Sequence, residues 1–350
     1  MTTNITVSPV LVSIPRYDGL MSSEATTLTT LILNYINLSV AAIGVATNVI
    51  NVLVFTRAGP GVNATSTSFL ALSLSDLCFL LLVSVFIVLR ILNKLIQTPG
   101  IPLTYLSFTV VTYWHYAYNT SVLITTYTAV QKACCVAIPL TFKNIFTVKR
   151  TIWILILIVF GLLAFYLPLM STMSITQTVV SGTNKTVYIF SYAPKSITST
   201  FDMTLQNILP TLTLAVVMLC LMVLVVKLRQ ASTLRKSMTA TEEDEEVGKG
   251  KSKDGSAFNA REIKVIQAVS AVSLMFVVCN LPPILVTYAT FIEPEFNDYR
   301  YYGNLYSVVG SARITLQIIC ATVNIFVYYY FNSGYRASLL ASFCINKSRG

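Results

Sequence analysis

Three features of the sequence predict an all-α membrane protein, a seven-transmembrane helix bundle with a short amphipathic eighth helix. Asp, Glu, Lys and Arg make up 11% of the 350 residues, less than half the roughly 25% of a soluble globular chain. The apolar set reaches 55% and mean hydropathy is +0.70, so polar groups are too few to cover a water-facing surface. Seven stretches are long and apolar enough to cross a hydrocarbon core about 30 Å thick, which takes about 20 residues each. They are 29–55, 66–92, 103–135, 151–171, 201–228, 263–291 and 305–331.

None of the seven shows the strict alternation over about 10 residues expected of a lipid-facing barrel strand. No basic segment followed by a short apolar core precedes the first span, so no cleaved signal peptide is expected and this span acts as an uncleaved anchor. Orientation follows from the basic residues of the loops. Seventeen of the 24 Lys and Arg fall on one side, including nine from Lys227 to Lys264, and seven on the other. That bias puts the N-terminus outside and the C-terminus inside, at the plasma membrane. Residues 1–28 then form an extracellular tail, 29–331 the membrane domain and 332–350 an amphipathic helix and cytoplasmic tail. The sequons at Asn4 and Asn184 face the glycosylating side. Those at Asn63 and Asn346 face inward, and those at Asn37 and Asn119 lie within spans.

The loop 229–260 carries an acidic run at 241–246 followed by Gly, Lys and Ser, with nothing to bury, and is expected to be disordered. Residues 177–180 and 186–190 are β-prone and flank Ser-Gly-Thr-Asn, which predicts a hairpin. After Gly334, the residues Tyr335, Leu339, Leu340 and Phe343 recur at helical spacing, as in a helix lying on the membrane. Cys344 at its end is a palmitoylation candidate.

Polar residues inside spans need a reason. Asp76 lies in the middle of the second span, with Asn48, Ser121 and Asn324 at similar depth in three others. Together they can form a polar cluster able to hold water or sodium; the alternative is bundle glue, with Asp76 bonded only to neighbouring Ser and Asn. Arg90, Asp202 and Arg313 fall near outer ends of spans. With Trp114, His115 and Tyr118, which share a helix face, they are the candidate ligand site. The alternative is ordinary packing with charges that snorkel. Pro210, Pro282 and Pro283 are expected to kink their spans. At the inner face, Lys132 and Glu262 are placed to pair.

Other chemistries find little support. One His in the chain argues against a multi-histidine metal site, and the seven Cys lie in spans or near inner ends, so no disulfide framework is expected. No cofactor, nucleophile–base pair or basic stripe with aromatics is seen, so neither an enzyme nor a nucleic-acid binder is expected.

The ordered motifs resemble those of the rhodopsin-like G-protein-coupled receptors from about Asn34 to Phe343. Gly44-Val-Ala-Thr-Asn48 resembles the first-span Asn motif and Leu72-Ser-Leu-Ser-Asp76 the second-span Leu-x-x-x-Asp. Gln131-Lys132-Ala133, with Ile138-Pro139-Leu140 after it, stands where the family has Asp/Glu-Arg-Tyr and its Pro-Leu. Phe276-Val-Val-Cys279-Asn280-Leu281-Pro282 resembles Phe-x-x-Cys-Trp-x-Pro, and Asn324-Ile-Phe-Val-Tyr328 resembles Asn-Pro-x-x-Tyr. The departures are Lys132 for Arg, Asn280 for Trp and Ile325 for Pro, the last implying a straighter seventh span. The family's usual outer Cys pair is missing.

The segment 134–143 with these losses resembles the chemosensory receptors of gastropod molluscs. The resemblance implies an extracellular small-molecule or peptide ligand, a heterotrimeric G protein as partner, and a switch built from Lys132, Glu262, Cys279, Asn280, Pro282 and Tyr328. A neuropeptide receptor is the nearest alternative. An amine receptor would want an acid near Trp114, and an opsin a Lys in the seventh span; neither is present. A transporter or channel is the distant alternative, without an internal repeat or a ring of acids to support it.

Overall fold

The computed structural model describes residues 19–57, 63–96, 103–171, 173–179, 186–192, 200–201, 203–242, 260–297, 300–331 and 333–344. In chain order the described helices are α1 (Ser23–Arg57), α2 (Ala64–Ile96), α3 (Leu103–Ala137), the short α4 (Pro139–Ile145) and α5 (Val148–Ser171). Strands β1 (Met173–Val179) and β2 (Thr186–Tyr192) follow, then a π turn (Thr204–Ile208) that runs into α6 (Leu209–Glu242). The chain continues through α7 (Ala260–Ile292), α8 (Gly303–Thr322), α9 (Asn324–Phe331) and α10 (Ser333–Cys344).

Six helical segments are long and apolar enough to cross a membrane: Ser23–Arg57, Ala64–Leu95, Val148–Ser171, Thr204–Lys227, Val269–Ile292 and Gly303–Tyr330. The chain is a multi-pass helical membrane protein. Its side-chain distribution is inside-out relative to a soluble protein. Asn34, Asn37, Asn48, Asn51, Asp76 and Gln131 are each at most 2% exposed, while Trp153, Leu157, Phe160 and Tyr330 are each at least 63% exposed. On α5, Trp153, Leu157 and Phe160 recur at i, i+4 and i+7, an apolar stripe fit for lipid. The third expected span does not meet the same apolarity. Helix α3 packs against α2, α5, α6 and α7, and a helix enclosed by helices can carry Thr112, Asn119, Thr120, Ser121, Thr125, Thr128 and Gln131 buried, since neighbours satisfy these groups instead of lipid.

Helix α2 packs along both α1 and α3, and α8 closes back onto α1. Among the described residues, the two largest of four apolar clusters fill most of the interior. One gathers Phe79, Leu80, Trp114, Val217, Phe276 and Ile318. The other, toward the C-terminal end of α1, gathers Phe55, Phe69, Leu224, Tyr328 and Tyr335. At the opposite end, Asn304 Nδ2 donates to Met21 O at 2.8 Å, so α1 and α8 begin at the same face of the bundle.

Two expectations are corrected in detail. The loop expected to be disordered from residue 229 begins as helix, because α6 runs on to Glu242; Ala, Leu, Lys, Arg and Met there propagate a helix already nucleated. The seventh span, expected to be straighter for lack of Pro, is broken at Val323 between α8 and α9. Phe326 N donates to Val323 O at 3.1 Å, a tightened step next to the tethered Asn324. Helix α7 runs through Pro282 and Pro283 as one unbroken helix, which leaves room for the expected kink. The hairpin is present, with Met173 opposite Tyr192 and Val179 opposite Thr186. Among the cysteines, Cys78, Cys134, Cys220, Cys279 and Cys320 are unbridged. Asn4, Asn184 and Asp202, and the side chains of Glu262 and Cys344, lie outside the described residues.

A polar contact inside the second cluster helps to hold the C-terminal helix α10. Tyr335 Oη donates to Asn51 Oδ1 at 2.6 Å, and its ring lies 5.3 Å from that of Phe55. Burial raises the Tyr335 phenol above its usual range, so it remains a protonated donor. Leu339 packs beside it, and Leu340 turns outward.

Candidate functional site

The polar centre is built on Asp76, 2% exposed in the middle of α2. Ser121 Oγ on α3 donates to Asp76 Oδ1 at 2.5 Å, and Asn324 Nδ2, the first residue of α9, donates to Asp76 Oδ2 at 2.7 Å. A cleft of about 350 Å³, open solvent included, adjoins this group, its polar wall formed by Asp76, Tyr118, Ser121, Thr125 and Asn324. Oxygen donors around one carboxylate suit water or a monovalent cation. Two of the three expected partners of Asp76 are therefore in place.

Asn48, expected as the fourth member, is bonded elsewhere. Its Nδ2 donates to Gly44 O at 3.0 Å and to Ala321 O at 2.9 Å. The last carbonyls of a helix lack intrahelical partners, and α8 ends at Thr322, so Ala321 O is an acceptor that the side chain of Asn48 satisfies. Gly44 permits the approach: a Cβ there would meet the hydroxyl of Thr322 and lie 2.9 Å from Leu80 Cδ1.

A second cleft, about 440 Å³ with its open mouth included, lies toward the end where α1 begins. Helix α3 contributes His115, Tyr118 and Asn119, α7 contributes Asn280 and Thr287, and α8 contributes Arg313 and Gln317. Leu205 and Gln206 enter from the π turn. A π turn leaves a carbonyl outside the regular ladder, and Asn119 Nδ2 donates to Leu205 O at 3.3 Å and to Tyr166 Oη at 2.7 Å. These bonds brace α3, α5 and the π turn together.

Of the expected ligand residues, His115, Tyr118 and Arg313 meet in this cleft. Trp114 stands behind it, 2% exposed and packed against Phe79 and Phe86. Arg90 lies with its guanidinium carbon 5.5 Å from the Phe86 ring centre, outside the cleft lining.

One contact divides the two cavities. Tyr118 lines both, and its Oη donates to Asn280 Oδ1 at 2.5 Å. Asn280 Nδ2 is held in turn by Phe276 O at 2.9 Å, one turn back on α7. Cys279 is buried beside it, and Pro282 follows on an exposed face. Tyr328 is fully buried, its ring 4.7 Å from Phe69 and 5.3 Å from Phe55.

Lys132 is 6% exposed, and its Nζ donates to Thr65 Oγ1 in the first turn of α2. Glu262, its expected partner, has no described side chain, so that pair lies outside the described residues. Gln131 accepts from Ser68 Oγ at 3.4 Å.

The residues that sequence reasoning missed are mainly polar positions facing the cleft. Gln317 lies four residues after Arg313 on one face of α8, a spacing that offered a signal. Thr65, Asn51 and Asn119 offered none, because an isolated polar residue near a span end or within a helix reveals no partner. The chain matches no family model and no curated protein.

Proposed function

We propose that this chain is a seven-span receptor of the rhodopsin-like G-protein-coupled type, chemosensory in role. In this reading α3 is the remaining span, and the N-terminus is outside the plasma membrane. An extracellular ligand enters the cleft of His115, Tyr118 and Arg313. A heterotrimeric G protein reads the inner face, where Lys132 sits. The hydrogen bond between Tyr118 and Asn280 carries the proposal, because it joins the wall of the open cleft to the wall of the Asp76 cavity. A ligand that binds better when this bond is broken shifts the bundle toward the arrangement in which Tyr118 has moved. The Asp76–Asn324 tie at the α8/α9 break then couples that motion to the inner half of the last span. The order of the motifs and the excess of basic residues on one side support the same reading.

The test is nucleotide exchange. Purified protein in nanodiscs, combined with a panel of G proteins and with odorants, peptides and amino acids, is expected to catalyse ligand-dependent exchange on at least one partner. Solute flux driven by the same compounds with no exchange on any partner would overturn the reading.

A further inference from the structure

The chemistry of the open cleft selects its occupant. Among the described residues that line it, Arg313 is the one formal charge and none is an acid. Arg313 lies ten residues into α8, nearly three turns from the helix start, so it is not simply at the mouth. A guanidinium between helices of an apolar bundle is costly unless an anion or water answers it. Among the described residues no carboxylate lies within 4 Å of it. Its contact with Thr287 Oγ1 is long, at 3.4 Å, and a planar fork with five donors has capacity beyond that one bond.

The second observation is an orphaned acceptor. Gln317 is 7% exposed, lines the same cleft and stands one turn along from Arg313. Its Oε1 is buried without a hydrogen-bond partner. A buried acceptor left unpaired is unfavourable, and Gln317 is one of the residues that line the cleft, so a donor reaching it from there gains the bond. The lining also has apolar members, Leu205, Pro210, Pro283 and Ile284.

The geometry points to a short apolar monocarboxylate carrying a neutral hydrogen-bond donor a few bonds from the carboxyl group, a 2-hydroxy acid or an N-acylated amino acid. The carboxylate takes the Arg313 fork, the hydroxyl or amide N–H donates to Gln317 Oε1, and the apolar body fills the side of Ile284 and Pro210. One guanidinium matches a monoanion; a phosphate dianion would want a second cation, and the described cleft lining has no Lys and no second Arg. An ammonium in place of the neutral donor would want an acid, which the described lining does not supply. This inference deepens the receptor reading by naming its ligand class, although binding in the cleft needs no G protein.

Binding is therefore measured on purified protein in nanodiscs, by calorimetry and thermal shift, without any G protein. The probes are a branched 2-hydroxy acid, its methyl ester, the acid lacking the hydroxyl and the corresponding amino acid. The hydroxy acid is expected to bind tightest, with the ester weaker by about 10-fold or more, the size of effect of a charge-assisted bond. R313Q is expected to weaken the acid by about 10- to 100-fold and to abolish acid-over-ester preference, with R313K in between because it offers a point charge instead of a fork. Q317L is expected to abolish the preference for the hydroxy acid over its hydroxyl-free counterpart.

Unliganded thermal unfolding of each variant separates a folding defect from lost binding. Ester and acid binding alike, a preference that survives R313Q in folded protein, tighter binding of the amino acid, or no binding by any acid at millimolar concentration would each overturn the inference. Acid binding without nucleotide exchange on any partner would instead count against the receptor reading alone. Exchange driven by uncharged compounds and indifferent to R313Q would leave the receptor reading standing and overturn the ligand class.

Discussion

At the scale of single residues, the carboxylate of Asp76 is held by donors from two other helices, Ser121 on α3 and Asn324 on α9. A hydrogen bond to a buried charged group contributes about 1.5–3 kcal/mol. Ser121→Ala and Asn324→Ala are each expected to lower stability by about that amount. The double variant leaves the carboxylate with neither donor, so its loss is expected to exceed the sum of the singles, with a coupling of about 0.5–3 kcal/mol. Thermal unfolding in detergent of the four proteins measures this. Losses that simply add would mean that the two donors do not act on Asp76 as a unit.

At the scale of elements, the contact of α1 with α8 and α2 depends on a missing side chain. Alanine at Gly44 would gain up to about 1 kcal/mol of helix propensity. Its methyl group, however, would lie 2.9 Å from Leu80 and closer still to Thr322 Oγ1, which is fixed by its own bond to Ile318 O at 2.7 Å. Forcing the helices apart costs about 1–3 kcal/mol, and it also stretches the bond from Asn48 to Ala321 O. The clash should win, so Gly44→Ala is expected to lower the unfolding temperature. Gly161 on α5 is the control, because nothing lies within 4 Å of its added Cβ; Gly161→Ala is expected to be neutral or stabilising. Equal behaviour of the two variants would show that α1 does not depend on this close approach.

At the scale of the whole molecule, the N-terminal end of α2 and the C-terminal part of α3 are joined by Thr65 and Lys132. The ammonium faces the first turn of α2, where the helix dipole is positive and disfavours a cation by about 0.3–1 kcal/mol. The hydroxyl of Thr65 is the group that compensates. Thr65→Val removes it without shortening the side chain, leaving a buried ammonium short of an acceptor. Arrangements in which Lys132 leaves α2 then gain population, by about tenfold for a bond to a charged group. Under the receptor proposal, Thr65→Val is expected to raise ligand-free nucleotide exchange at matched protein amounts. Unchanged or lower exchange would mean that this contact does not restrain the inner face.

The sequence by itself determined the apolar helices, the hairpin and the buried acid of α2. These follow from local composition, since each segment must satisfy its own backbone and present apolar side chains to lipid. His115, Tyr118 and Arg313 were also legible as polar or aromatic groups that needed company inside apolar spans. Their company was not. Asn48 turned to Ala321 O, Lys132 to Thr65, Trp114 into the core, and Gln317 joined Arg313 at the cleft. Each outcome depends on the rotation and depth of one helix against another. Apolar lipid tails give no hydrophobic push that would single out one face, so close approach at Gly44, the π turn before Pro210 and the break at Val323 set the pairings. Those are properties of the assembled bundle, and only the tertiary structure decided them.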